Sequence, residues 1–369
     1  MEKWSKVKLG EIAFITSSKR IFAREYQKEG IPFYRGKEII EKHNGNSVST
    51  ELYISKKRYD EIKSKYGVPV PGDILLSSVG TLGVPWLVDE EKFYFKDGNL
   101  TWLRCNEKCI PKFLYLWFNS AEAKNQIEVM CIGSTQKALT IDALNKFNVS
   151  LPPLEVQKKI CNVIYSIMDK IRTNDEINRN LSEQLKAIFS KMFPTITDNG
   201  SNTLEEIISF SNGKKRPDTE GKVPVYGGNG ILSYTDKSNA ENCVIIGRVG
   251  AYCGSLYLSV EPCWISDNAI KAKAKNSNSQ MFIYYLLQEL ALSNRHIGTS
   301  QPLLTQGILN AIPFNCPSEE DVISFCKKAD DIQKLIDMNT IENKRLSELR
   351  DTLLPKLMSG ELDVSDLNI

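Results

Sequence analysis

The octet GSTQKALT at residues 133–140 returns as GTSQPLLT at residues 298–305, and this repeat decides the fold. The two copies lie 165 residues apart, and neither is a low-complexity segment. The same spacing continues downstream without a gap. It joins identical residues at Leu144 and Leu309, Pro152 and Pro317, Cys161 and Cys326, Ile167 and Ile332, Ile171 and Ile336, Asn174 and Asn339, Asn178 and Asn343, and Lys191 and Lys356. Agreement over this length in one register predicts an internal duplication.

Upstream of the octets the two halves resemble each other more loosely, and the spacing drifts between about 195 and 169 residues. The similar pairs are KLGEIAF (8–14) with TLEEIISF (203–210), GIPFYRG (30–36) with KVPVYGG (222–228), GDILLSSVGTLG (72–83) with NCVIIGRVGAYCG (242–254), and KFLYLWF (112–118) with MFIYYLL (281–287). The drift indicates loops of unequal length. The chain therefore reads as A-B-A′-B′, with a variable A segment and a uniform B segment.

Each B segment has the pattern of a long helix that starts after a proline, at LPPLEVQ (151–157) and CPSEEDV (316–322). Ser318 and Asp321 are expected to cap the second helix, and Pro355 to kink or end it. Heptad spacing predicts a seam in each helix. The seams contain Ile167, Ile171, Asn174, Asn178, Leu181, Leu185, Ile188 and Met192 in the first copy, and Ile332, Ile336, Asn339, Asn343, Leu346, Arg350, Leu353 and Leu357 in the second.

Two asparagines lie on the seam in each copy: Asn174 and Asn178, then Asn339 and Asn343. A polar residue at such a position lowers stability but can specify helix register and partner orientation. The alternative is that these side chains are exposed and the apolar stripe drifts around them. A long helix with one apolar stripe needs a partner, and the other B helix is the simplest one. Because an A′ segment intervenes, the two helices are expected to run antiparallel.

The A segments, residues 1–150 and 200–315, contain short strand-like runs separated by glycine turns. Each ends in an aromatic segment with helical character. These patterns predict a mixed α+β globule in each half. The predicted class is thus α+β: two mixed globules and two long antiparallel helices, at 151–195 and 317–360, in a pseudo-two-fold internal repeat.

Composition excludes several classes of protein. The 41% hydrophobic and 25% charged content is that of a globular chain, and no apolar run reaches eighteen residues. The opening MEKWSKVKLGEIAF lacks the apolar core of a signal peptide, so we expect a cytoplasmic protein. Nine scattered cysteines are expected to be reduced thiols. Cys105 and Cys109 lack a second pair to complete a zinc site, so no metal is expected.

Motifs for catalysis are also missing from the sequence. There is no GxxxxGK[ST] phosphate loop, and YGGNG (226–230) lacks the third glycine of a dinucleotide site. No methyltransferase motif of the Asn-Pro-Pro-Tyr kind appears, and neither does GxSxG. We therefore expect a binding protein without a cofactor of its own.

Duplex DNA suits two similar globules held by a two-fold spacer, because a symmetric reader meets half-sites one helical turn apart. Base edges and phosphates are contacted by Arg, Lys, Asn, Gln, Ser and Thr, and phosphates also by glycine backbone. Base reading is expected where the halves differ, at Arg35, Lys37, Ser77, Ser78, Lys214, Lys215, Arg216, Gly227, Gly228, Asn229 and Arg248. The octets add Ser134, Thr135, Gln136, Lys137, Thr299, Ser300 and Gln301. Because both copies share them, the octets are expected either to contact the DNA backbone or to fasten A onto B.

The pattern of two variable segments, each followed by a long helix after a proline-containing start, resembles the specificity subunit of type I restriction-modification systems. The residues that carry the resemblance are the two octets, LPPLEVQKKI (151–160) and LSELRDTLLPKLMSGEL (346–362). The resemblance covers essentially the whole chain. The first helix departs from it, because IFSKMFPT (188–195) stands where the second has LLPKLMSGEL.

The resemblance implies that A and A′ are target recognition domains, each of which reads one half of a bipartite, asymmetric DNA target. It also implies that the helices set the spacer and dock methyltransferase subunits, with a restriction subunit joining them. S-adenosylmethionine and ATP would then belong to those partners. A coiled-coil scaffold that binds only proteins is the alternative, and a self-sufficient methyltransferase conflicts with the missing cofactor motifs.

Overall fold

The structure is a computed structural model that describes residues 4–131, 138–197, 200–298 and 301–364. It divides into two compact units. The first unit lies within residues 1–172 and 343–369, and the second within residues 173–342. Each unit therefore contains one A segment and parts of both B helices.

The first half of the chain builds ten strands and seven helices within the described residues. The strands are β1 (Ser5–Lys8), β2 (Ala13–Thr16), β3 (Tyr26–Gln27), β4 (Ile31–Tyr34), β5 (Tyr53–Ile54), β6 (Ile74–Ser77), β7 (Pro85–Leu87), β8 (Tyr94–Phe95), β9 (Leu100–Cys105) and β10 (Asn148–Leu151). The helices are α1 (Leu9–Ile12), α2 (Gly36–His43), α3 (Lys56–Tyr66), α4 (Pro111–Phe118), α5 (Ala121–Cys131), α6 (Ile141–Asn145) and α7 (Leu154–Met192).

The second half repeats the plan with fewer helices in its A segment. Its strands are β11 (Asn202–Thr203), β12 (Ile208–Asn212), β13 (Val223–Gly227), β14 (Gly230–Thr235), β15 (Cys243–Gly247), β16 (Leu256–Ser259), β17 (Trp264–Ile265), β18 (Ala269–Ala274) and β19 (Pro313–Phe314). Its helices are α8 (Leu204–Ile207), α9 (Gln280–Glu289), α10 (Gln306–Asn310) and α11 (Glu319–Ser359). The strand-like runs and the aromatic helices expected from the sequence are present in both halves.

The two units share their sheet topology. Each has a four-stranded antiparallel sheet, in the order β2-β9-β6-β7 in the first unit and β12-β18-β15-β16 in the second. A second sheet contains one parallel pair in each unit, β4 with β8 and β13 with β17. This sheet has four strands in the first unit and three in the second. The first and last strands of each A segment also pair, β1 with β10 and β11 with β19. The duplication predicted from the octets is thus a duplication of the fold.

The two long helices pack along the predicted seam and run antiparallel within each unit. Helix α7 has 39 residues and α11 has 41, or about 60 Å at 1.5 Å per residue. Ser318 caps α11, because its Oγ accepts a hydrogen bond from the backbone nitrogen of Asp321 at 3.2 Å. Pro355 does not end α11, so that part of the prediction is wrong. Leu357 and Met358 beyond it are buried in the first unit, and this packing holds the final turn.

Each unit has a core to which both long helices contribute. In the first unit, Ile160 and Ile164 of α7 and Leu357 of α11 are buried against the sheet and α4. In the second unit, Phe189 of α7 and Phe325 of α11 are buried against α9. Since these residues are fully buried, each A segment folds around its share of the helix pair rather than beside it.

Candidate nucleic-acid interface

Several loops that carry predicted contact residues lie at one edge of the four-stranded sheet in each unit. In the first unit, Thr16 at the end of β2 pairs with Trp102, and Ser77 at the end of β6 pairs with Leu100. The chain therefore leaves β2 and β6 at the same edge at which it enters β9. We call this edge, formed by residues 17–22, 78–84 and 96–99, the first loop edge.

The second unit has the equivalent edge. Asn212 at the end of β12 pairs with Ile270, and Gly247 at the end of β15 pairs with Ala269. Residues 213–216, 248–255 and 266–268 form this second loop edge. The turn between β13 and β14 belongs to it, because Ser255 Oγ donates a hydrogen bond to the carbonyl oxygen of Gly228.

The described parts of the two octets join each loop edge to the following short helix. The backbone nitrogen of Leu139 donates to the carbonyl of Ser78 at 2.9 Å, and that of Leu304 donates to the carbonyl of Arg248 at 2.9 Å. Thr140 caps α6 and Thr305 caps α10, each through a side-chain oxygen that accepts a backbone hydrogen bond at 3.2 Å. Each octet therefore makes the same junction within its A segment.

The other octet residues remain predictions as DNA contacts. Six of them lie outside the described residues: Ser134, Thr135, Gln136, Lys137, Thr299 and Ser300. Gln301 is described and exposed, directly before the junction formed by Leu303 and Leu304.

Ser77 and Ser78 lie at the first loop edge but point into the protein. Both are buried, at 0% and 3% exposure. Ser77 Oγ accepts a hydrogen bond from the backbone nitrogen of Val84 at 2.9 Å, which closes the loop after β6. Ser78 Oγ lies 2.6 Å from Thr101 Oγ1 on β9. Hydroxyls engaged in this way have no path to a base edge, so we leave both serines out of the proposal below.

Arg35 and Lys37 differ in exposure although they are near neighbours. The Arg35 guanidinium forms an ion pair at 2.8 Å with Glu38, whose side chain is fully buried. The same carboxylate accepts a hydrogen bond from the backbone nitrogen of Arg35 at 2.8 Å and so caps α2. Arg35 thus neutralises a buried charge. Lys37 is exposed, donates to Ser49 Oγ at 3.0 Å and forms an ion pair with Glu41 at 3.6 Å. Such exposed contacts are weak, so a ligand could replace them at little cost.

The residues predicted in the second half gather at the second loop edge. Lys214, Lys215 and Arg216 are exposed and follow β12 directly. Asn229 is exposed at the tip of the turn, where Gly227 pairs with Gly230. Gly227 itself is buried. A side chain does not fit there, since a Cβ atom would lie 2.6 Å from the Leu232 side chain.

Two further predicted residues shape this turn and its neighbour. Gly228 contributes its carbonyl to the tie with Ser255. Arg248 is half-buried, and its backbone nitrogen donates to Asn268 at 3.1 Å. Among the described residues, no hydrogen-bond partner is present for the Arg248 Nε atom. Asn229 and Arg248 remain predicted contact residues, and the two glycines shape the turn.

Lys19 and Arg20 occupy the position of Lys214–Arg216 in the first unit, and sequence reasoning missed them. They follow β2 as the lysine cluster follows β12. The signal that could have found them is the similarity between KLGEIAF and TLEEIISF. Extended by a few residues at the same spacing, it aligns Lys19 with Lys214.

The seam asparagines make hydrogen bonds between the helices. In the second unit, Asn339 Nδ2 donates to Asn178 Oδ1 at 2.8 Å, and Asn174, which is fully buried, donates to Glu342 at 2.7 Å. In the first unit, Asn343 Nδ2 donates to the carbonyl of Ile171 at 3.3 Å. The side chains therefore lie between the helices rather than in solvent.

We expect the Asn178–Asn339 pair to be energetically coupled. Asn178→Leu alone should lower the free energy of unfolding by about 1–3 kcal/mol, because Asn339 then lacks its acceptor between the helices. The double variant N178L/N339L should recover most of that loss, since two leucines complete an apolar seam. Denaturant unfolding of the two single variants, the double variant and the exposed control N180L measures the coupling. Losses that simply add in the double variant would contradict it.

Two titratable groups of the first unit have pKa values that burial shifts. Burial raises the pKa of the Asp73 carboxyl, which accepts hydrogen bonds from Trp102 Nε1 at 2.8 Å and from the backbone nitrogen of Val70 at 2.9 Å. Burial and then the neighbouring Glu91 raise the pKa of the Tyr34 hydroxyl. Both groups face inward.

The part of the chain that the structure describes contains no cluster of three or more His, Cys, Asp or Glu side chains that could hold a metal ion. Among the same residues, no helix has the length and apolar character needed to cross a membrane.

Comparison with known proteins identifies a family match over most of the chain. The sequence model of the family described as type I restriction modification DNA specificity domain matches residues 1–187 and again residues 198–351. The two matches coincide with the two halves of the repeat.

Two curated relatives come from Haemophilus influenzae. One, assigned as the type I restriction enzyme specificity subunit S.HindORF215P, is 33% identical over 169 residues, which is 45% of this chain but only 40% of that protein. The other, the type I restriction enzyme HindI specificity subunit, is 24% identical over 358 residues, with 69% of this chain and 78% of that protein covered.

A solved structure has the same fold. The type I restriction-modification system S subunit from M. genitalium superposes with a TM-score of 0.61 at 18% identity, and 96% of each chain is covered. At this identity the superposition supports the fold only.

Proposed function

The chain belongs to the family of type I restriction-modification DNA specificity proteins, and from this premise we propose that it is the DNA-recognition subunit of such a complex. Each unit would read one half of a bipartite, asymmetric duplex target through its loop edge. The chain would supply recognition and no catalysis of its own, and it would dock methyltransferase subunits and a restriction subunit.

The observation that carries this proposal is that the two units repeat one fold but differ in their loop residues. Both units use the same strand order and the same octet junction. The residues at the two edges differ, however. Arg248 stands where the first unit has the buried Ser78, and helix α2 follows β4 where the second unit has the turn at Asn229. A ligand with two sites of one shape and different chemistry suits this design. Duplex DNA is such a ligand, because phosphates repeat and bases vary.

Within this proposal, seven described residues are candidates for DNA contact. They are Lys37 in the first unit, and Lys214, Lys215, Arg216, Asn229, Arg248 and Gln301 in the second. Lysine and arginine suit phosphates and guanine, and asparagine and glutamine suit adenine. Ser134, Thr135, Gln136, Lys137, Thr299 and Ser300 remain candidates from the sequence.

The helix pair would give the complex its geometry and its protein contacts. Asn174, Asn178, Asn339 and Asn343 would fix the register of α7 against α11. Side chains that stay exposed and apolar on the helices, such as Leu335, Met338 and Ile341, suit contact with another protein. S-adenosylmethionine and ATP would be bound by the partners.

The same exposed residues also favour a second function, a coiled-coil scaffold that binds proteins without reading DNA. The two functions differ in one property. A recognition subunit confers a target sequence on a methyltransferase, whereas a scaffold leaves the DNA unselected.

Methylation mapping tests the proposal. The chain and its methyltransferase partner are expressed together in a host that lacks both, and methylated positions are read across the genome. We expect a single bipartite, asymmetric motif, and we expect no methyl transfer from the purified chain alone. Methylation without a sequence motif would favour the scaffold, and transfer by the chain alone would refute the non-catalytic role.

A further inference from the structure

The segment after β2 is a basic loop that none of the residue assignments above explains. We call residues 17–24, SSKRIFAR, the first basic loop. It contains Lys19, Arg20 and Arg24 and no acidic residue. Lys19, Arg20 and Lys96 give the first loop edge a positive charge, opposed there by Asp97, and Arg24 follows two residues beyond it. The second unit has Lys214–Arg216 at the same point of the sheet.

The backbone of this loop is fixed while its cations face outward. The backbone nitrogen of Lys19 donates to the hydroxyl of the buried Tyr94 at 2.7 Å, and Ile21 is buried in the aromatic core. The backbone nitrogen of Phe22 donates to Glu25 at 2.8 Å, and Glu25 is held by Arg58 at 2.9 Å. A loop anchored at three successive points presents its side chains at little entropic cost when a ligand binds.

The cationic side chains have only weak, exchangeable partners. Arg20 keeps 69% of its side chain exposed while it pairs with Asp97 at 2.9 Å. Lys19 lies 4.5 Å above the ring of Tyr66, and Arg24 lies 5.4 Å from the ring of Phe22. Exposed ion pairs and cation–π contacts are weak, so a phosphate can replace them.

We infer that the first basic loop contacts the phosphates of the half-site read by the first unit, through Lys19, Arg20 and Arg24. Phe22, which is 51% exposed between two arginines, supplies an apolar contact to the groove wall. The inference rests on the proposed DNA-recognition function and adds to it. The first unit, whose predicted readers Arg35, Ser77 and Ser78 serve the fold, thereby gains an electrostatic contact equivalent to that of the second.

Salt-dependent DNA binding tests the inference. Phosphate contacts do not depend on sequence, so binding of the full chain to a mixed-sequence duplex of about three helical turns suffices. The variant K19Q/R20Q/R24Q is compared with the control K6Q/K108Q/K146Q, which removes the same charge from exposed positions. The control lysines lie near the opposite end of the sheet, where Asn106 bonds the carbonyl of Ile12 before β2 begins.

Three phosphate contacts contribute about 2.7 to the slope of log K against log salt. We therefore expect K19Q/R20Q/R24Q to lose a slope of roughly 2–3 and to bind at least tenfold more weakly near 0.1 M salt. The control should keep the wild-type slope. The single variant R24Q, which alters none of the anchoring contacts, should lose about 0.9. Phe22→Ala should weaken binding severalfold with its slope unchanged.

Equal slopes for the loop variant and the control would overturn the inference while DNA binding itself stands. Failure of the wild-type chain to bind any duplex would instead overturn the proposed function, and the inference with it. Circular dichroism of each variant separates a lost contact from a lost fold.

Discussion

Removing one heptad from each long helix is expected to shorten the spacer between the two half-sites by about three base pairs. A heptad spans about 10.5 Å of helix, and base pairs repeat every 3.4 Å or so along the duplex. If the helix pair sets the spacer, the target changes outright, and the original sites lose their methylation. This is the largest functional change that we predict for any alteration of the chain.

The pairing of α7 with α11 determines which residues to remove. Asn178 and Asn339 bond each other, and the helices are antiparallel there, so residues 171–177 of α7 lie opposite residues 340–346 of α11. Deletion of these two stretches keeps the Asn178–Asn339 pair and the phase of the seam. Deletion of residues 171–177 alone is the control, and it should destabilise the protein because the rest of α7 loses its partners.

Methylation mapping reads the outcome. The paired deletion should methylate a motif with the same two halves and a shorter gap. An unchanged gap from a folded, active protein would show that the helices do not measure the spacer. A changed half-site sequence would place base reading on the helices, against the assignment to the loop edges.

Periodic and repeated features of the sequence predicted the fold well. The seam of α7 and α11, the cap at Ser318 and the short strands all follow from spacing that local chemistry determines. The parallel pairs β4 with β8 and β13 with β17 did not emerge from the sequence. Their partners lie far apart along the chain, and no local pattern specifies such a pairing.

The candidate site was harder to predict than the fold, because residue type does not reveal side-chain direction. Ser77 and Ser78 have the chemistry of base readers, yet the strand β6 and its loop turn both hydroxyls inward. Arg35 could also contact a base or a phosphate, but its guanidinium is paired with the buried carboxylate of Glu38. Lys19 and Arg20 were overlooked because the sequence similarity between the halves fades just before them, although β2 and β12 place the two basic segments at equivalent points.

Phe189→Ala is expected to cost the second unit about 3–5 kcal/mol of unfolding free energy, the largest loss of stability that we predict. Phe189 is fully buried and its ring centroid lies 5.0 Å from that of Phe193, 5.7 Å from Phe282 and 5.2 Å from Phe325. It lies in IFSKMF, the stretch where the first helix departs from the ending of the second. Truncation would leave a cavity among aromatic rings that cannot collapse to fill it.

The end of α7 differs from the end of α11 in the size of its buried side chains. At the repeat spacing, Phe189 corresponds to Leu354 and Phe193 to Met358, so two aromatic residues replace two aliphatic ones. Both pairs pack against the core of their own unit. The ends of the two helices therefore both pack into a core, but with side chains of different volume, and the surrounding core residues differ accordingly.

Hydrogen exchange resolved by peptide is the suitable measurement, because the two units need not unfold together. Phe189→Ala should speed exchange in the second unit, including α9, and leave α4 of the first unit protected. Phe189→Leu should cost less, since it keeps most of the volume. Leu357→Ala is the matched variant and should reverse the pattern, because Leu357 is buried in the first unit. Equal loss of protection in both units from either change would mean that the chain unfolds as one body and that neither helix ending belongs to a single core.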